Sequence, residues 1–290
     1  VMPVVKEEQV ALCRVLRQRL SPNDTVVDVG TGSGVLGLYA TRVCGARVIA
    51  IDIAARSCRF ARRNARMNSV RLSSDVGSLA SGEMVVIHQE LARFCRRGPD
   101  ADVFVLNPPF TPTVRDGFVA IHARGGYDGQ RAFEYQLRTI QPLLSAGKRI
   151  IGFQMTCGSP PDFGLRSMFS SVMRHPYVAE WTSVIVGSGS IKAREFLPAI
   201  YRSHAQPAVW LAGGIPISDV MDYFLQHGVA DKEFSVIAYV ITIREKGRSR
   251  LSRLFAPDAP LGTWDDRVWL HARILDGVAE PLRAASHAFD

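Results

Sequence analysis

Short, nearly continuous apolar runs recur along this chain, and between them apolar residues return every three or four positions. Thr25-Val-Val-Asp-Val29, Arg47-Val-Ile-Ala-Ile51, Met84-Val-Val-Ile-His88, Asp102-Val-Phe-Val-Leu106 and Arg149-Ile-Ile-Gly-Phe-Gln154 are runs of the first kind. Their β-branched, unalternating character predicts strands buried on both faces, as in a parallel sheet. Stretches of the second kind predict helices over Lys6 to Arg19, Gly34 to Val43, Ala54 to Met67, Gln130 to Leu144 and Gly164 to Arg174. Ser21-Pro-Asn-Asp24 separates the first helix from the first strand. Strand and helix in alternation predict an α/β fold with a doubly wound, mostly parallel sheet, whose ligands bind beyond the carboxyl ends of the strands. Thr182-Ser-Val-Ile-Val186 and the longer run Phe234 to Ile243 complete seven strands and are expected to form an antiparallel edge.

That pattern divides the chain into an N-terminal helical segment (1–24), a ligand-binding core (25–186), an insertion or substrate cover (187–233), the last core strand (234–246) and a C-terminal tail (247–290). The insertion is too long for a hairpin loop. Ile217, Val220, Met221, Phe224 and Leu225 recur in it at helical spacing. The tail contains Trp264 and Trp269 and is expected to include a helix.

Composition changes this picture only at the margins. The 290 residues suffice for a sizeable core. No apolar run approaches the roughly 18 residues of a membrane span, and charge falls at Lys6-Glu-Glu8, so a cytoplasmic protein without membrane association is expected. The five cysteines include no CxxC pair and the seven histidines no HExxH, which indicates neither a disulfide framework nor a metal site. A formal net charge of +8 favours polyanionic surroundings such as RNA or the ribosome. Arg59, Arg62, Arg63 and Arg66 fall at helical spacing and give one basic face.

The candidate chemistry begins where the first strand runs into glycines, Asp28-Val-Gly-Thr-Gly-Ser-Gly34. Glycines there permit backbone angles and close ligand approach that a Cβ would forbid. Two cofactors compete for such a loop. Gly32, Gly34 and Gly37 satisfy GxGxxG, and Asp52 follows Gly32 by 20 residues, as expected of a ribose-binding acid in a dinucleotide site. Asp28 argues against a pyrophosphate, which its carboxylate would repel, and for a ligand that carries a cation. The stretch resembles motif I of the class I S-adenosylmethionine (SAM) methyltransferases, whose ligand has an ammonium and a sulfonium. The resemblance implies a Rossmann-like methyltransferase fold with SAM held by Asp28, Gly30, Thr31, Gly32, Gly34, Asp52, Ile53, Glu90 and Asn107. In it Asp52 accepts the ribose hydroxyl protons and Glu90 meets the adenine amine.

Asn107-Pro-Pro-Phe110, at the end of the fourth expected strand, resembles motif IV of the amino-methyltransferases, which act on planar nitrogens. An amide or aryl NH2 is a poor nucleophile because its lone pair is delocalised. The side-chain oxygen of Asn107 and the carbonyl of Pro108 can take both its hydrogens and encourage it to pyramidalise. The prolines fix the turn in advance, and Phe110 can stack on the planar group. Catalytic roles are therefore expected of Asn107, Pro108 and Phe110.

Gly125-Gly-Tyr-Asp-Gly129 and Ala61-Arg-Arg-Asn-Ala65 resemble segments of the HemK-type methyltransferases, which modify the glutamine of a release-factor GGQ motif. The resemblance spans about Val26 to Leu144. Two features depart from it: Phe110 stands where those enzymes usually have Tyr, and the stretch after Gly187 has no counterpart. The expected activity is SAM-dependent methylation of a glutamine-type amide or exocyclic amine in a protein or RNA. A small-metabolite acceptor, a SAM-binding RNA factor without catalysis and an NAD oxidoreductase remain as alternatives.

Overall fold

The computed structural model describes residues 6–114, 124–158, 172, 178–185, 191–204, 217–244 and 251–253. The first half alternates as its pattern requires. α1 (Lys6–Arg19) precedes β1 (Thr25–Val29), α2 (Val35–Arg42), β2 (Arg47–Asp52), α3 (Ala55–Met67), β3 (Arg71–Leu72) and β4 (Glu83–His88). Then come α4 (Leu91–Cys95), β5 (Val103–Leu106), α5 (Arg131–Ile140), a 3-10 turn (Gln141–Leu143) and β6 (Arg149–Gly158). β7 (Val178–Ile185), β8 (Ile191–Lys192), α6 (Ala193–His204), α7 (Ile217–Gln226), β9 (Glu233–Arg244) and β10 (Leu251–Arg253) follow.

All strands join one sheet in the order β10-β7-β9-β6-β5-β1-β2-β4-β3, with β8 paired to β9. From β6 to β3 every pairing is parallel, and β9 runs antiparallel to both β6 and β7. The doubly wound α/β sheet is thus as expected, and all seven expected strands are in it. The three further strands are two or three residues long, too short for any hydrophobic period to reveal them. The helix expected over Gly164 to Arg174 lies outside the described residues except for Val172, as do the tail after Arg253 and the glycine-serine stretch Gly187 to Ser190.

Two apolar layers cover the sheet. One contains Leu12 and Leu16 of α1, Leu36 and Leu38 of α2, and Cys58, Ala61 and Ala65 of α3. The other packs Phe94 of α4 and Phe133, Leu137 and Ile140 of α5 on the opposite face. Strand residues alternate between the layers: Val26 faces the first and Val27 the second, so the core strands carry apolar residues on both faces. Cys13, Cys58, Cys95 and Cys157 are buried small residues in these layers. Among the described residues no helix is long and apolar enough to cross a membrane.

From β1 the chain winds outward through β2 to β4, and β5 returns to the other side of β1. Neighbouring crossovers therefore diverge between β1 and β5 and leave a crevice at the carboxyl ends of those strands. Register decides what borders it. Val29 pairs with both Ile51 and Leu106, and Asp52 with His88. One residue beyond Val29, Gly30 stands in line with Asp52 on one side and Asn107 on the other. The fold thus assembles the candidate residues in one row along the sheet's edge.

Candidate functional site

The loop after β1 is held from beneath. Gly30 and Thr31 both donate backbone N–H bonds to Ile51 O at 2.9 Å, which fastens the turn to β2. Gly30, Gly32 and Gly34 all have positive φ. At Gly34, φ is +91° and a Cβ would lie 3.1 Å from Cα and Cβ of Ala61, so no other residue fits there without displacing α3. Asn64, one turn further along α3, donates to Ser33 O at 2.8 Å. The Ala61-Arg-Arg-Asn-Ala65 stretch therefore braces the glycine loop with Ala61 and Asn64 and leaves Arg59, Arg63 and Arg66 exposed.

Asp28 sits under this loop, 3% exposed. Its Oδ2 accepts the Thr31 hydroxyl at 2.6 Å and the Gly37 N–H at 3.0 Å, so the carboxylate joins the two ends of the turn. A Cβ on Gly37 would come within 3.0 Å of that same oxygen. Gly37, which fits the dinucleotide pattern on paper, is glycine here because α2 passes directly over Asp28. Burial pushes the Asp28 carboxyl up to about 6, against the opposing pull of the Thr31 and Gly37 hydrogen bonds.

Asp52 ends β2, half-buried. Its Oδ2 accepts the Gly32 N–H at 2.9 Å and its Oδ1 the Ala54 N–H at 2.8 Å, which fixes the carboxylate at the lip of the loop. Each oxygen retains a second lone pair for a ligand hydroxyl. Ile53 beside it is 71% exposed, an apolar surface open to a flat ring. Glu90 stands just before α4, two residues past β4, and accepts a hydrogen bond from Tyr135 of α5 at 3.2 Å. Sequence reasoning did not foresee that link to Tyr135.

Asn107 follows the last residue of β5. Its side-chain Oδ1 is buried and has no hydrogen-bond partner among the described residues. An orphaned buried acceptor costs about 1–3 kcal/mol, and this one lies beside the crevice at the carboxyl end of β5. Pro108 is buried, and the Phe110 ring packs on Phe153 at a centroid distance of 5.7 Å, tilted by 50°. Phe110 thus has a protein neighbour on one side already.

The glycine-rich segment after the tetrad fits against it. Gly125 N–H donates to Thr111 O at 2.8 Å and Thr113 N–H to Gly126 O at 2.7 Å. Gln154 Nε2, at 0% exposure, donates to Gly129 O at 2.6 Å. A Cβ on Gly125 would lie 2.7 Å from Phe110 C and from Gly129 Cα; one on Gly129, where φ is +79°, would lie 2.4 Å from Phe110 O. These glycines let the backbone of 125–129 close on that of Phe110. The motif's role is to set the turn after the two prolines.

Asp28, Gly30, Thr31 and Asn107 line one hollow together with Ser33, Val35, Leu36 and Gln9. Asp52, Ile53 and Glu90 lie outside it, along the edge towards β4. Gln9, Ser33, Val35 and Leu36 were not foreseen. Ser33, Val35 and Leu36 follow from their place in the loop and the first turn of α2. Nothing in the pattern of α1 singles out Gln9. Among the described residues, no cluster of His, Cys, Asp and Glu could hold a metal ion.

Comparison with known proteins agrees in kind with this geometry. Residues 9–97 match the family profile described as ribosomal protein L11 methyltransferase (PrmA). A ribosomal protein L11 methyltransferase of Pelotomaculum thermopropionicum is 50% identical over 60 residues, 20% of each chain. A candidate protein N5-glutamine methyltransferase of Methanocaldococcus jannaschii is 24% identical over 169 residues, 53% of this chain and 77% of that one. A solved structure from Agrobacterium tumefaciens, described as an O-methyltransferase, is matched over 91% of this chain and 96% of that one, at 15% identity and a TM-score of 0.45. The chain spans 20–27% of the length of the first four curated relatives, all ribosomal protein L11 methyltransferases. The similarity to methyltransferases is thus concentrated in α1 to α4, the half that carries the glycine loop and Asp52.

Proposed function

We propose that this chain is a SAM-dependent N-methyltransferase acting on a planar nitrogen, a glutamine-type amide or exocyclic amine, of a protein or RNA. The observation that carries the reading is the orphaned Oδ1 of Asn107, buried at the end of β5 beside a hollow floored by Asp28 and Gly30. A site for hydride transfer has no need of an unpaired acceptor there; a site that must grip an NH2 group does. SAM supplies the electrophilic methyl group when bound. The similarity of residues 9–97 to methyltransferases supports the same cofactor.

The residues present fit that cofactor. Asp52, pinned by the Gly32 and Ala54 N–H groups, receives the ribose hydroxyls, and Ile53 offers its exposed side chain to the adenine face. Glu90, two strands from β1, lies where it can meet the adenine amine. Gly30, Thr31, Gly32 and Gly34 form the backbone of the cradle, with Asp28 beneath as the nearby negative charge.

Asn107 Oδ1 and the Pro108 carbonyl orient the acceptor nitrogen by taking its two hydrogens, which favours attack only when the nitrogen pyramidalises. Phe110, backed by Phe153, packs on the planar group. α7 borders this side of the molecule: the rings of Tyr127, in the glycine-rich segment, and His227, just after α7, are 5.5 Å apart. The insertion then serves as part of the wall that selects the acceptor.

Incubation with methyl-labelled SAM and fractionated cell extract tests the proposal. Label is expected in protein or RNA, and Asn107→Ala should lower turnover by about 100-fold or more while SAM binding survives. Label confined to small molecules would replace the macromolecular acceptor by a metabolite. Unchanged turnover in Asn107→Ala would refute the assigned mechanism.

A further inference from the structure

Arg59, Arg63 and Arg66, on the outer face of α3, take no part in the chemistry above. They are exposed, and among the described residues none of them stands in an ion pair. Two other arginines of the helix are occupied. The guanidinium of Arg56 lies 5.8 Å over the Phe60 ring, and Arg62 donates to Val86 O at 2.7 Å.

Such a helix works against its own stability. α3 carries five arginines and no carboxylate, and its first turn has no acidic residue where α5, α6 and α7 have Glu134, Glu195 and Asp219. An acid there would complement the helix dipole, and Arg56 opposes it. Arg59 and Arg63 stand four positions apart and Arg63 and Arg66 three, so like charges adjoin along one side. Packing does not demand them: Cys58, Ala61 and Ala65 dock the helix on the sheet. A partner dense in negative charge does.

The kind of partner follows from what the face lacks. A protein interface has an apolar centre, whereas Met67, the exposed large apolar residue of α3, lies past the last arginine. Three guanidinium groups along about 10 Å of helix axis, each able to grip a phosphate with two N–H groups, suit a nucleic-acid backbone. The acceptor turn is within reach of a strand held there. α3 starts just past Asp52, and Asp52 and Asn107 stand on either side of β1, two strand spacings or about 10 Å apart.

We infer that the outer face of α3 is a docking surface for RNA: Arg59, Arg63 and Arg66 bind its phosphates and hold the strand whose acceptor base enters at Asn107. The inference rests on the methyltransferase reading proposed above and selects RNA from its acceptors.

Equilibrium binding of fluorescently labelled total RNA to the full chain tests this, with polyglutamate as an acidic-peptide probe. Wild type should bind RNA more tightly than polyglutamate, with affinity that falls steeply as salt rises. The triple variant Arg59→Gln, Arg63→Gln, Arg66→Gln should bind RNA about tenfold or more weakly, and its slope of log affinity against log salt should be shallower by about 2. Its melting temperature should hold or rise because repulsion is removed, and its affinity for S-adenosylhomocysteine, the demethylated cofactor, should not change. The corresponding triple Lys variant keeps the charge and should keep the slope. Absence of RNA binding in wild type, preference for polyglutamate, or an unchanged slope in the Gln variant would overturn the inference and leave the methyltransferase reading standing. A wild-type chain that binds RNA but not S-adenosylhomocysteine would overturn that reading, and with it the acceptor role given to the RNA.

Discussion

Asp28 shows how one carboxylate can serve the fold and the ligand at once. Its two hydrogen bonds join the ends of the glycine turn, yet burial raises its pKa in the folded chain from the ordinary 3.8 to about 6. Between those values the folded chain binds more protons than the unfolded one, so Asp28 makes stability fall as pH rises from about 4 to about 6. The penalty is complete above pH 6, on the order of 3 kcal/mol. Thermal melts across this window should show wild type losing stability relative to Asp28→Asn as pH rises; a flat difference would contradict the burial argument. A cationic ligand favours the ionised form, so its affinity should rise through the same window. At this scale the sequence singled out Asp28, Asp52 and Asn107 because each lies in or just after the last residues of a strand whose end could be read, Asp28 within β1, Asp52 at the end of β2 and Asn107 just past β5. It did not disclose that Asp28 braces the turn, since that depends on a backbone N–H nine residues away, at Gly37, coming to the same oxygen as the Thr31 hydroxyl. Gln9 gave no signal either, being one polar position among many on an amphipathic helix.

Among the elements, the turn after β5 is set by a loop that lies beyond it in sequence. Gly125 and Gly129 allow residues 125–129 to close on Phe110, and Gln154 of β6 fastens that loop from the core. Gly125→Ala would place a methyl 2.7 Å from two backbone atoms, a clash that no side-chain rotation relieves. It should cost about 1–3 kcal/mol of stability by overpacking. It should also lower turnover severalfold through displacement of Phe110, with S-adenosylhomocysteine binding little changed. Single-turnover rates and calorimetry check this; wild-type turnover in the folded variant would mean that the loop does not set the turn. Long periodic elements were legible: Ala55–Met67 and Arg47–Asp52 fall within a residue or two of expectation. α4, five residues long, and α6, with a proline inside it, were not recognised, because neither displays a full helical period.

For the whole molecule, strand order does most of the work. The divergence between β1 and β5 makes the crevice, and parallel register brings Asn107, Gly30 and Asp52 into line. The insertion is part of the same body: Val220 and Phe224 of α7 and Leu197 of α6 join the layer that contains α1 and α2. An alternating pattern predicts such a sheet, but which side chains converge depends on pairings that no local period encodes. The central claim is that a methyl donor with a nucleoside and an amino-acid arm lies across the glycine loop with its ribose on Asp52. Parallel calorimetric titrations with S-adenosylhomocysteine and NAD, on wild type and Asp52→Ala, test it most directly. One-to-one binding of S-adenosylhomocysteine, weakened about tenfold or more by Asp52→Ala, with no comparable binding of NAD, is the predicted result. Preferential binding of NAD, or S-adenosylhomocysteine binding indifferent to Asp52→Ala, would contradict it.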